Sequence, residues 1–187
     1  MKEMSSIKRI CICAACVALC YVLPLAFHAF GAGTVFLPMH IPVLLCGLIC
    51  GWGYGAVCGI VGPVLSSVLS GMPPATALVS MIPELCVYGL ASGLLLRFVH
   101  TKYTYADLYI SLICAMLLGR IVGGVAKVLF YLSGASGMSG LSFGMLVSSY
   151  FVESLPGILI QLVLLPTLVF TLMKAKLIPE RYSRAAK

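Results

Sequence analysis

The segment LYISLICAMLLGRIVGGVAKVLFYL, residues 108–132, decides how this chain folds. A helix crosses the hydrocarbon core of a bilayer in about 20 mainly apolar residues, and this stretch is long and apolar enough to do so. Yet it contains Arg120 and Lys127. A charge near the bilayer centre costs about 3 kcal/mol or more, so each base needs a partner or a watery neighbour inside the membrane. One stretch therefore predicts both a membrane fold and a buried polar site.

The whole composition points the same way. The chain has 187 residues, of which 61% are hydrophobic and only 9% charged, and its mean hydropathy is +1.13. A soluble domain needs a more polar surface than this. The net charge of +7 is not arranged as a basic stripe with interleaved aromatics, which argues against a nucleic-acid partner. All nine cysteines lie in or at the ends of apolar segments. They read as small hydrophobes rather than as a disulfide or zinc framework, and no metal site is expected. Lys8-Arg9 before an apolar run mimics a signal peptide. The run continues to about residue 30 and no clear A-x-A site follows, so a retained first span is expected.

Six segments qualify as spans, some of them short or broken: about 7–30, 36–51, 54–69, 75–99, 108–132 and 145–174. The expected fold is an all-α integral membrane protein, a single six-span domain over 1–187 with a basic tail at about 177–187. Of the twelve Lys and Arg, ten fall outside the apolar interior: Lys2, Lys8, Arg9, Arg97, Lys102, Lys174, Lys176, Arg181, Arg184 and Lys187. With both termini in the cytoplasm, all ten face the cytoplasm. The three outer loops, about 31–38, 70–74 and 133–143, then hold no Lys, Arg, Asp or Glu. The positive-inside rule selects that orientation. Glycines four apart at Gly47, Gly51, Gly55 and Gly59, and at Gly119 and Gly123, read as ordinary close helix packing.

The remaining charges are informative. Arg120 and Lys127, seven apart, share a helix face; so do Glu84 and Tyr88, and Glu153, Gly157 and Gln161 form a third line. At about 1.5 Å per residue, Glu84 lies about 14 Å and Glu153 about 12 Å below the outer edge, with Arg120 near the middle. Three polar stripes that cannot face lipid are expected to face one another or a watery cavity, the usual sign of a substrate or ion pathway. Two internal salt bridges are the bland alternative, but buried ion pairs are poor stabilisers because desolvation consumes the Coulomb gain. His40, opening the second segment from outside, reads first as a capping or interfacial histidine and second as a ligand contact. The 71–74 turn, Gly-Met-Pro-Pro, reads as rigid.

Catalytic readings fail. Gly134-Ala-Ser136-Gly137 is similar to the G-x-S-G of intramembrane serine proteases, but such a protease needs a later histidine, and His28, His40 and His100 all precede it. There is no phosphate-binding loop and no H-E-x-x-H. No enzyme and no cofactor are expected.

A small six-span protein with a polar site in its outer half, and no ATPase of its own, resembles the substrate-binding S component of energy-coupling factor (ECF) vitamin transporters. Ala14-Ala-Cys-Val-Ala18 matches the A-x-x-x-A patch with which S components dock on the transmembrane coupling subunit. His40-Ile-Pro-Val43, Gly47, Gly51 and Tyr54-Gly55 resemble the start of the second and third spans. Met72-Pro-Pro74 and Glu84-Leu-x-x-Tyr88-Gly89 fit the third loop and fourth span. The resemblance covers essentially the whole chain. It implies capture of a vitamin from outside a bacterial plasma membrane, under a lid at about 31–38. Docking on a coupling subunit that carries two ATPases, and reorientation to release substrate inside, would follow. On this resemblance Arg120 and Lys127 would hold an anionic or carbonyl-rich part of the ligand, with Glu84, Tyr88, Glu153 and His40 completing the site. Ala14 and Ala18 would form the docking face. The favoured vitamin is pantothenate, with folate or a queuosine-like deazapurine as alternatives. The competing classes are a stand-alone secondary transporter and a scaffold whose charges are structural.

Overall fold

The computed structural model describes residues 4–29, 37–99, 101, 104–133, 144, 148, 150, 152, 154–175 and 177. Among them are six helices: α1 (Ser6–Ala29), α2 (His40–Cys50), α3 (Trp52–Ser70), α4 (Ala75–Phe98), α5 (Thr104–Leu132) and α6 (Leu155–Lys174). Five of these are long and apolar enough to cross a membrane, and α2 is a shorter apolar helix. The all-helical expectation therefore holds for the described residues. The boundaries agree closely for α1, α3 and α4, and α5 starts one turn earlier than expected.

Two segments differ. The second was expected over about 36–51, but α2 has 11 residues, or about 16 Å of helix, roughly half a hydrocarbon core. Leu37 sits at φ 49 and Pro38 follows, so the chain turns there and helix begins only at His40. Pro42 falls in the first turn, where its missing N–H removes no intrahelical bond. The sixth was expected from about 145, whereas α6 begins at Leu155. Proline directly follows Leu155, at a position suited to a helix start. Most of 145–153 lies outside the described residues, as does the expected lid except its end at Leu37 and Pro38.

Short as it is, α2 lies in the middle of the bundle. It packs against α1, α3, α4 and α6, and α4 packs in turn against α2, α3 and α5. Nine of the eleven α2 residues are buried, the pattern of a helix enclosed by protein on all sides. The outside is apolar instead. On α5 the exposed residues Ile113, Leu117, Ile121, Val125 and Leu129 recur every fourth position, a stripe that only lipid covers cheaply. Arg120 lies off that stripe and is only 5% exposed.

Close approach in the core rests on small residues. A Cβ on Gly55 would strike the carbonyl of Gly89, and one on Gly89 would strike that of Gly55. The α3–α4 contact is therefore backbone against backbone. At Gly51, φ is 101, a conformation that lets α2 turn directly into α3 and that glycine adopts without strain. Buried thiols fill the space among α1, α2 and α3. Cys13, Cys16, Cys20, Cys46, Cys50 and Cys58 are all free and buried, packing as small hydrophobes do. Three of them point at backbone carbonyls: Cys13 at Tyr54, Cys20 at Met39 and Cys50 at Arg9. The turn after α3 is sewn shut. Gly71 caps the helix in the left-handed region, Ser66 Oγ donates to the Met72 carbonyl at 2.8 Å and Ser67 Oγ to that of Pro73 at 2.8 Å.

The glycine contact is directly testable. Gly89→Leu forces a side chain into backbone and is expected to cost about 3 kcal/mol or more, the upper end for overpacking. Gly53→Ala places its Cβ where nothing lies within 4 Å and serves as the neutral control. Equal melting temperatures for the two variants in detergent would contradict the α3–α4 contact.

Candidate functional site

Glu84 lies on the inward face of α4 and is 2% exposed. A carboxylate so placed is tolerable only when its charge is met by donors. Three meet it. His40 Nε2, from the first residue of α2, lies 3.3 Å from Oε1. Arg120 Nη1, from α5, lies 3.3 Å from the same oxygen. The hydroxyl of Tyr150, ahead of α6, donates to Oε2 at 2.6 Å. The acceptor assigns the His40 proton to Nε2. The shortness of α2 matters here: its first residue reaches the depth of Glu84 because the helix begins inside the bundle. The positive end of the α2 dipole then adds to the groups that favour the carboxylate.

Aromatic rings fix these groups in place. The Tyr88 ring meets the His40 ring edge-on, centroids 5.2 Å apart at 62°. The guanidinium of Arg120 stacks over the Tyr150 ring at 4.9 Å, and Lys127 Nζ lies over the same ring at 5.0 Å. Both contacts fall within cation–π range. Arg120 Nη1 also donates to the Tyr150 carbonyl at 3.5 Å. Two glycines of α5 make the room. A Cβ on Gly119 would run into the Tyr88 ring, and one on Gly123 into the Tyr150 hydroxyl and the Glu84 side chain. The Gly119–Gly123 pair lies in the close α4–α5 contact, as its spacing suggests. It also seats the site's aromatic side chains.

Four expected site residues, His40, Glu84, Tyr88 and Arg120, meet at one point. Lys127 joins through the Tyr150 ring, so the two bases on α5 do share a face. His40 is neither a cap nor interfacial. It is 2% exposed and bonded to the acid, because α2 starts inside the bundle rather than at its edge. Glu153 lies outside the described residues. Gln161, on the same expected line, is 1% exposed, and its Nε2 has no partner among the described residues. Ala14 and Ala18 are exposed on α1, opposite the buried line Cys13, Cys16 and Cys20.

Tyr150 enters the site unforeseen from the sequence. Its bond to Glu84 was missed. The available signal was its place seven residues before Gly157, on the same line as Gln161. Among the described residues no group of His, Cys, Asp and Glu is arranged to hold a metal ion. The network offers charge, hydrogen bonds and two ring faces, the equipment for holding a small polar molecule.

Comparison with known families agrees with that chemistry. A model of the ECF transporter substrate-specific component matches residues 8–169. No curated protein and no solved structure matches the chain. The family match runs from the first turn of α1 to the last turns of α6, and this membrane protein belongs to the family of substrate-specific components of ECF transporters.

Proposed function

We propose that this protein captures a vitamin or similar micronutrient at the His40–Glu84–Arg120–Tyr150 network and delivers it to partner subunits for ATP-driven uptake. The observation that carries the reading is the buried network itself. An ion pair of this kind adds little stability over apolar packing, and ionisable groups inside a membrane domain ordinarily mark a substrate path. Tyr88 and Lys127 border the site, and Glu153 is assigned to it from its position in the chain.

The proposed setting is the bacterial plasma membrane, with the chain as one domain of six spans and both termini cytoplasmic. The distribution of the ten peripheral positive charges supports that orientation. The energy source lies in other chains: a transmembrane coupling subunit and two ATPases. Ala14 and Ala18 form the docking face on α1. Their exposure beside Leu19, which is 40% exposed, supports a flat small-residue surface against which another helix packs closely.

Two experiments test this. Small molecules that co-purify with the protein are identified by mass spectrometry and titrated back calorimetrically. Replacing Glu84→Leu together with Arg120→Met removes the charges as a pair. The double variant is expected to lose less stability than Arg120→Met alone, because no unpaired charge stays in the core and only the His40 and Tyr150 donors lose a partner, while binding is lost. A double variant that binds as well as the parent contradicts the site. Separately, Ala14→Trp and Ala18→Trp are expected to spare binding in detergent and abolish uptake in cells that carry the partner subunits. Retained uptake, or lost binding, contradicts the docking role.

A further inference from the structure

We infer that Arg120 receives the carboxylate of a small organic acid on the edge formed by its Nε and Nη2. This deepens the substrate-binding reading above and rests on it. A guanidinium has five N–H donors in a rigid fork. In Arg120 the contacts to Glu84 and to the Tyr150 carbonyl both use Nη1. Nε and Nη2 are buried and have no hydrogen-bond partner among the described residues. Donors left this way in a buried place are uncommon and costly. The Nε–H and one Nη2–H lie parallel along one edge of the group, at the spacing of two carboxylate oxygens, the geometry that makes arginine a bidentate carboxylate receptor.

The surroundings favour an anion over a cation. Glu84 already accepts from His40, Arg120 and Tyr150, so an amine on the ligand finds its natural partner largely occupied. Of the orphaned side-chain nitrogens on the network residues and Gln161, three are donors, Arg120 Nε, Arg120 Nη2 and Gln161 Nε2, and one, His40 Nδ1, is an acceptor. Gln161 sits on α6, which packs against both α2 and α5. A ligand rich in acceptors suits this inventory. A second carboxylate beside Glu84 also needs positive charge, and Lys127 supplies it from the ring on which Arg120 stacks. That contact and the bonds from Nη1 restrain the guanidinium, so the unpartnered edge keeps its direction.

The test is calorimetric titration of the full-length protein in detergent. One set of probes is pantothenate, biotin and nicotinate. The second is panthenol, biotinamide and nicotinamide, in which a neutral group replaces the carboxylate. Thiamin and riboflavin stand as vitamins without one. At least one acid is expected to bind, and its neutral counterpart to bind about 10-fold or more weakly, the loss typical of hydrogen bonds to a charged group. Arg120→Lys keeps the charge but removes the fork, and is expected to weaken the acid by a similar factor and so to shrink the preference for the acid over its neutral counterpart. Should that variant fail to fold, the comparison of acid with neutral counterpart on the parent protein decides alone. Equal affinity for both forms, or binding of thiamin or riboflavin with the acids silent, overturns the carboxylate assignment and leaves substrate binding standing. Silence of every probe overturns both.

Discussion

Everything near the centre of this bundle follows from one constraint: a carboxylate at Glu84, 2% exposed, must be neutralised where water does not reach. Lipid offers no donors, so the protein brings them from three other segments. α2 begins inside the bundle so that His40 arrives at the right depth. Arg120 is carried inward on α5, on the side away from the exposed apolar stripe at Leu117, Ile121 and Val125. Tyr150 closes the group from the stretch ahead of α6. Removing Arg120 would strand the Glu84 charge in a low-dielectric place, and breaking a buried pair typically costs about 3–5 kcal/mol; losing the Tyr150 or His40 contact removes one hydrogen bond and leaves the pair.

The same constraint explains where the small residues lie. Gly119 and Gly123 leave space for the Tyr88 ring and for Tyr150 and Glu84. Gly55 and Gly89 bring α3 and α4 together, which places α4, and with it Glu84, at the centre of the helix contacts. Packing and polarity are thus coupled, because the backbone approach that joins the helices also sets the position of the acid. The cost of such a buried ionic group makes structural economy a poor explanation for it. Recognition of a polar ligand is a better one, and membership of the ECF substrate-specific family accords with it.

Much of this was legible in the residues. Charge placement and apolar run lengths located α1, α3, α4 and α5, since both are long signals that tertiary context seldom overrides. Arg120, Glu84 and Lys127 announced themselves because an ionisable group in a membrane segment needs a reason. His40 was nominated, but its role was not, because depth depends on where α2 starts. That start depends on the backbone turn at Leu37, which apolar periodicity does not encode. Tyr150 was undervalued for a similar reason. A tyrosine in an apolar run is ordinary until its hydroxyl is seen against a carboxylate. Gly119 and Gly123 carry more than their spacing says: they pack α5 against α4, helix against helix, and in the same place make room for the Tyr88 ring and the Tyr150 hydroxyl.

The central claim is that the Glu84–Arg120 group is where this transporter component holds its substrate. Its most direct test is an experimental structure of the protein purified with the molecule it retains. The account predicts density for a small molecule against the Nε–Nη2 edge of Arg120, close to Tyr88 and Tyr150, with the Glu84 contacts to His40 and Tyr150 preserved. Density for the retained molecule at another place in the bundle, with the Arg120 edge closed by protein side chains, would contradict it.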